Sequence, residues 1–227
     1  MSLLSREDFV SALREVGTKR YHHLHPFHVK MNAGGLSREQ IRCWVANRWY
    51  YQRGIPLKDA AILSNCPSRE VRRVWLHRLT DHDGREGAEG GLEAWLQLGE
   101  AVGFPREELL DERHVVPGAR FAVDAYVTFA RTKPWPIAVA SSLTELFAPD
   151  LMRERIAAFE KHYRWIRPEG LAYFRSRVPR AKGDSDEALD LTVTHCDTRE
   201  MQDEAVAALS FKCDVLWALL DAIAGAS

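Results

Sequence analysis

No run of apolar residues in this 227-residue chain is long enough to span a bilayer as a helix, and the opening stretch MSLLSREDFV lacks the apolar core of a signal peptide. Cysteine is scarce. Cys43, Cys66, Cys196 and Cys213 are widely spaced with no C-x-x-C pair, which excludes a disulfide or zinc framework and suits a reducing compartment. Together these absences predict a cytoplasmic protein. Charge of one sign is also missing: 31 Lys plus Arg face 32 Asp plus Glu. A nucleic-acid partner is not expected without a basic surplus, although a local basic pocket could still sit inside a neutral total. There is no internal repeat, no low-complexity tract and no stretch of alternating β-branched residues. What remains is a chain that is 46% hydrophobic, enough for one domain over residues 1–227 with a substantial core.

Helix signals recur along the whole chain. SRED (5–8) and SREQ (37–40) read as capping boxes, with Ser at the N-cap and an acid or amide three residues later. A long helix is predicted from Ser37 to about Asn65, kinked at Pro56, and another from Ser68 to Asp83, where DHDG stops it. Further helices are predicted over 92–102, 118–132, 135–147, 150–163, 168–177, 185–196 and 199–224. The fold class is therefore all-α, a bundle of about seven long helices.

The informative anomaly is charge on faces that should be apolar. Ala205, Ala208, Leu209, Val215, Leu216 and Leu219 form a stripe at helical spacing, and Lys212 falls inside it. Two readings stand: a boundary lysine whose stem packs while its ammonium reaches water, or a cation meeting an anion in an internal cavity. In NRWYYQRGIPLKDAA, Arg48, Tyr51, Gln52 and Ile55 share a face with Lys58 at its margin, amid residues too apolar to leave an exposed side. HRLTDHDG sets Arg78 and His82 one turn apart, and YFRSR does the same for Tyr173 and Arg177. Singly these pairs suit a surface; together they point to one cavity built for a polyanionic small molecule.

The stretch RYHHLHPFH (20–28) holds four histidines, the commonest metal ligands. Pro26 prevents the four rings from sharing a helical face, and only DERH (111–114) approaches a Glu-x-x-His motif. No metal is expected, and His23 and His28 read as solvated or structural.

The segments YHHLHPFH, WVANRWYYQRGIPLKDAA, DHDG, GGLEAWLQLGEAVG, ERHVVPGARFAVDAYVTFAR, SSLTELFAP, YFRSR and FKCDVLWALLDA run in order through nearly the whole chain. In them the sequence resembles the pyrroloquinoline-quinone synthase family. The resemblance implies a heme oxygenase/TenA-like bundle, a homodimer, and ring closure with eight-electron oxidation of a bicyclic amino-tricarboxylate precursor. Oxygen is the implied oxidant, with hydrogen peroxide formed and no metal, flavin or other cofactor. By the same resemblance, Arg48, Gln52, Lys58, Arg78, Arg155 and Lys212 bind carboxylates or quinone oxygens. Tyr21, His22 and Tyr126 lie against the ring system, with Glu145 nearby as a base or positioning group, and Tyr51 is a further substrate-binding residue. His82, Tyr173 and Arg177 surround oxygen or peroxide, His82 moving the proton.

Two departures from the family pattern accompany this. Met152 stands where some relatives carry a cavity histidine, and relatives often continue beyond Ser227 with a tail, whose loss would favour binding over turnover. Two rival readings are a thiaminase-like hydrolase, which needs a cysteine nucleophile in the cavity, and a non-catalytic quinone or heme carrier.

Overall fold

Ser5 and Ser37 begin their helices as capping residues. The Ser5 hydroxyl accepts from the Asp8 N–H at 3.1 Å and opens α1 (Arg6–Arg20). Ser37 and Gln40 exchange reciprocal bonds of 3.2 and 3.1 Å, a complete capping box. The computed structural model describes residues 2–227, with residues 179–182 and 184 described by their backbone alone.

After α1 a 3-10 turn (His22–Leu24) leads to α2 (Pro26–Asn32), α3 (Arg38–Asn65), α4 (Arg69–Trp75) and α5 (His77–Asp83). Then come α6 (Gly91–Ala101), α7 (Arg106–Leu110), α8 (Pro117–Thr132) and α9 (Trp135–Ala140). A 3-10 segment (Ser141–Phe147) precedes α10 (Ala148–His162), and another (Pro168–Leu171) precedes α11 (Ala172–His195) and α12 (Arg199–Gly225). Among the described residues there is no strand, and no helix is long and apolar enough to cross a membrane.

Seven of these helices, α1, α3, α6, α8, α10, α11 and α12, have 11 or more residues and form the expected bundle; short segments make the joints. Three joints differ from expectation. The predicted helix over 68–83 breaks at Leu76, which is 52% exposed, while Arg78 and His82 beyond the break turn inward. The second half of 135–147 is 3-10 rather than α, and there the buried Ser141 hydroxyl bonds back to the Ala138 carbonyl at 2.6 Å. The helices expected at 168–177 and 185–196 are one, α11, running through Gly183. A mid-helix glycine costs only about 1 kcal/mol, which packing of Ala188 and Thr192 readily outweighs. α3 likewise continues through Pro56.

α3 is the central element, packed against α5, α6, α8, α9 and α12. Trp44, Trp75 and Trp95 are fully buried around it. A helix enclosed on so many sides must bury its polar residues too, and Asn47, Arg48, Gln52, Lys58 and Asp59 are all buried.

α5 and α6 meet at glycines. Gly84 ends α5 at φ 87°, a left-handed conformation that side chains disfavour. A Cβ on Gly90 would lie 2.3 Å from the His82 carbonyl oxygen, so the two chain segments touch backbone to backbone.

Candidate active site

Six cationic side chains converge between the helices: Arg48 and Lys58 from α3, Arg78 from α5, Arg155 from α10, Arg177 from α11 and Lys212 from α12. All but Arg177 are buried. The acids among them are Asp59 and Glu145. Lys58 Nζ donates to Asp59 Oδ1 at 2.5 Å and to Ser142 Oγ at 3.0 Å. Arg78 Nη1 donates to Glu145 Oε2 at 2.6 Å.

The other buried cations are held by rings. Arg48 lies 4.2 Å above the Tyr51 ring and Arg155 lies 4.9 Å above Trp44. Lys212 donates to the Tyr51 hydroxyl at 2.8 Å and sits 3.3 Å from the Tyr126 ring centre. Among the described residues none of these three makes an ion pair, and Arg48 Nε with Arg155 Nε and Nη2 are buried without any hydrogen-bond partner. Burial and neighbouring Arg48 depress Arg155 to about 9. Burial, Lys58 and Arg48 push Lys212 well below the ordinary lysine value. Lys212 is 1% exposed, so the boundary reading with its ammonium in water does not hold; its partner is the Tyr51 hydroxyl.

These cations act on their neighbours. Burial opposes ionisation of Glu145, but Arg78, Lys58 and Arg177 together outweigh it and hold the carboxyl at about 2. Burial and then Arg177 lower His82 to about 4. His82 Nδ1 is 3.2 Å from the Arg78 carbonyl, which only accepts, so Nδ1 carries the proton and Nε2 presents a lone pair. That Nε2 is buried with no partner. The ring is therefore neutral in the fold between about pH 4 and 6.5, where the unfolded chain takes up a proton. Stability is present above pH 6.5 and is lost as pH falls toward 4, by about 3 kcal/mol from this group. A ring-nitrogen NMR titration is expected to show His82 still neutral at pH 5.5; a midpoint near 6.5 contradicts its enclosure.

A cavity of about 80 Å³ sits beside this cluster. Its wall includes Tyr21, His22, Arg48, Tyr51, Glu145, Met152, Arg155, Tyr173 and Arg177. Gln52, Lys58, Arg78, His82, Tyr126 and Lys212 lie outside the wall, behind it. Gln52 accepts from the Tyr173 hydroxyl at 2.9 Å and so tethers it, while its own Nε2 is buried without a partner. Tyr126 lies under Lys212. Lys58, expected as a ligand at the margin of α3, is committed to Asp59 and Ser142 because a buried ammonium needs a counter-charge. Burial raises the Tyr21, Tyr51 and Tyr126 hydroxyls, keeping all three protonated donors.

The four histidines of RYHHLHPFH do different jobs. His22 faces the cavity, with Nδ1 buried and unpartnered, 4.4 Å from the Tyr21 ring. His25 Nδ1 caps α2 by accepting from the Phe27 N–H, and its Nε2 meets Asp221 at 3.0 Å. His28 is buried, with Nδ1 on the His22 carbonyl at 3.0 Å, and His23 is half-buried. Among the described residues no group of three or more His, Cys, Asp or Glu side chains is placed to hold a metal.

Several site residues carried no sequence signal. Trp44, Thr144 and Phe174 also line the cavity, Asp59 neutralises Lys58 and Ser142 accepts from it. Only the burial of a charged neighbour, Lys58, could have flagged Asp59. No cysteine lines the cavity; burial raises Cys43, lifts Cys196 to about 12 and Cys213 to about 11, the opposite of an activated thiolate. Replacing all four cysteines with alanine is expected to leave turnover intact, and lost activity in a folded variant would restore the hydrolase reading.

An all-helical bundle closed around a cation-rich cavity places the chain among proteins with the heme oxygenase-like fold. It superposes with a TM-score of 0.77 on a domain of that fold from Shewanella denitrificans OS217, at 13% identity over 99% of this chain and 94% of that one. It superposes equally, at 0.77, on a TenA homologue from P. horikoshii OT3, at 11% identity over 96% of this chain and 99% of that one. Such low identities speak to the fold alone. The chain belongs to the TENA/THI-4/PQQC family, whose model matches residues 10–222. It is 56% identical over 221 residues to the pyrroloquinoline-quinone synthase of Pseudomonas aeruginosa (strain LESB58), covering 97% of this chain and 88% of that protein. The pyrroloquinoline-quinone synthase of Cronobacter sakazakii is 54% identical, with the same coverage.

Proposed function

We propose that this chain is an oxidase that closes and oxidises the bicyclic tricarboxylate precursor to pyrroloquinoline quinone, as the named relatives imply. The observation that carries the reading is the set of buried cations that have no acidic partner among the described residues, Arg48, Arg155 and Lys212. Burying them with no anion would be costly, so the site is built to be completed by a ligand bearing several carboxylates. Guanidinium groups also suit carboxylates geometrically, through paired N–H donors.

In this reading Arg48 and Arg155 on the wall hold the carboxylates, Lys212 supports them from behind through the Tyr51 hydroxyl, and His22 and Tyr21 face the ring system. His82 lies outside the wall of the empty cavity and reaches the substrate once the walls separate, where its Nε2 accepts the proton leaving carbon. Tyr173 turns its single hydroxyl proton from Gln52 to the reduced oxygen species, and Arg177 stabilises the developing negative charge there. The substrate's own quinone and quinol states carry the electrons, so oxygen serves as oxidant with peroxide released and no metal, flavin or other cofactor. The cavity of about 80 Å³ is well under the about 300 Å³ of a small-molecule site, so its walls separate to admit substrate. The protein acts as one domain, a cytoplasmic homodimer.

The test supplies precursor to metal-analysed protein with and without oxygen. Quinone and peroxide are expected only with oxygen, and formation that requires added iron or copper would overturn the cofactor-independent reading. Binding of the quinone without any turnover would favour the carrier.

A further inference from the structure

Lys58 and Asp59 are neighbours on α3, and adjacent residues on a helix point in directions too different to meet by default. Here both are buried, at 2% and 1% exposure, and the lysine folds back so that Nζ reaches Asp59 Oδ1 at 2.5 Å. The same carboxylate oxygen accepts from the Trp75 indole N–H at 2.9 Å. Trp75 is fully buried, and its ring carries the Arg78 guanidinium at 3.9 Å. Arg78 then donates to Glu145, which lines the cavity, while Lys58 donates to Ser142 on the same 3-10 segment. Neither Asp59 nor Trp75 lines the cavity.

We propose that Asp59 is a positioning residue: with Trp75 it braces Lys58 and Arg78, and through them fixes the 3-10 segment carrying Ser142 and Glu145. The inference rests on the proposed function, because the braced cations are read as part of a polycarboxylate site. It differs from simple charge neutralisation in sign. If Asp59 only offset positive charge, removing its charge would tighten binding of an anion. A brace predicts looser binding instead, because the donors and Glu145 lose their fixed geometry.

The experiment measures the affinity of pyrroloquinoline quinone for the full-length protein, its Asp59→Asn and its Trp75→Phe variants, with turnover in parallel. Asp59→Asn keeps an acceptor for the indole but removes the charge facing Lys58. Trp75→Phe keeps every charge and a ring under Arg78 but deletes the N–H donor. Asp59→Asn is expected to weaken binding about tenfold and Trp75→Phe at least about threefold, with turnover falling in both. The side-chain Nε–H signal of Arg78, sharp in the parent, is expected to broaden in both variants. Affinity unchanged or tighter in both, with an unaltered Arg78 signal, overturns the brace. Should Asp59→Asn fail to fold, Trp75→Phe decides alone by the same readings. A parent protein that neither binds nor forms the quinone instead overturns the proposed function, and the Arg78 signal then still reports on the brace.

Discussion

The His82→Asn variant is expected to turn over about 10²- to 10⁴-fold more slowly while binding the quinone within about threefold of the parent. The asparagine amide can still donate to the Arg78 carbonyl that holds the native ring, so the local fold is kept. What it lacks is the lone pair that Nε2 presents, buried and without a partner. The pH profile sharpens the test. In the empty site His82 is held at about 4 by burial and Arg177, so the acid limb of kcat/KM is expected near pH 4. Bound carboxylates offset the surrounding positive charge, so the limb of kcat, which reports the complex, is expected at higher pH. Undiminished turnover in His82→Asn, or two coincident acid limbs near 6.5, refutes the role in proton transfer.

Arg155→Met is expected to move affinity and stability in opposite directions. Removing one member of a buried charge pair in the complex costs about 2–5 kcal/mol, so quinone binding should weaken about 30- to several-thousand-fold. In the ligand-free protein the same guanidinium is 2% exposed, has no acidic partner among the described residues and stands over Trp44. Methionine of similar length fills that space without a charge to desolvate, so the melting temperature of the empty protein should rise. Calorimetry on the same samples reads both quantities. A variant that melts lower yet binds normally would make Arg155 a structural residue and remove it from the site.

The helices were legible because their boundaries are chemical: Ser5 and Ser37 each accept from a first-turn N–H as their capping boxes predict, and Thr198 does the same at the start of α12. Burial of polar side chains was legible wherever one broke an apolar pattern, as Lys212 does in α12 and Arg48 and Gln52 do in α3. Partnership was not legible. Asp59 looks like any helical acid until Trp75 and Lys58 are seen to share one of its oxygens. Nor could the pattern separate the cavity wall from the layer behind it. Tyr173 and Gln52 come from α11 and α3, and a hydrogen bond 121 residues apart in sequence joins them. The joints failed for a related reason: Gly183 and Leu76 are local signals, and whether a helix continues past them is decided by what it packs against.

The close meeting of α5 and α6 bears on how substrate entry and chemistry are kept separate. Because Gly90 rests directly on the His82 carbonyl, the backbone of His82 is anchored by main chain. A Cβ on Gly91 would stand 3.5 Å from Tyr173 and 3.6 Å from the His82 ring, so the same crossing spaces those two residues. On the proposed reading, the wall that parts for the substrate includes Ala148, Met152 and Arg155 of α10, which is not part of that crossing.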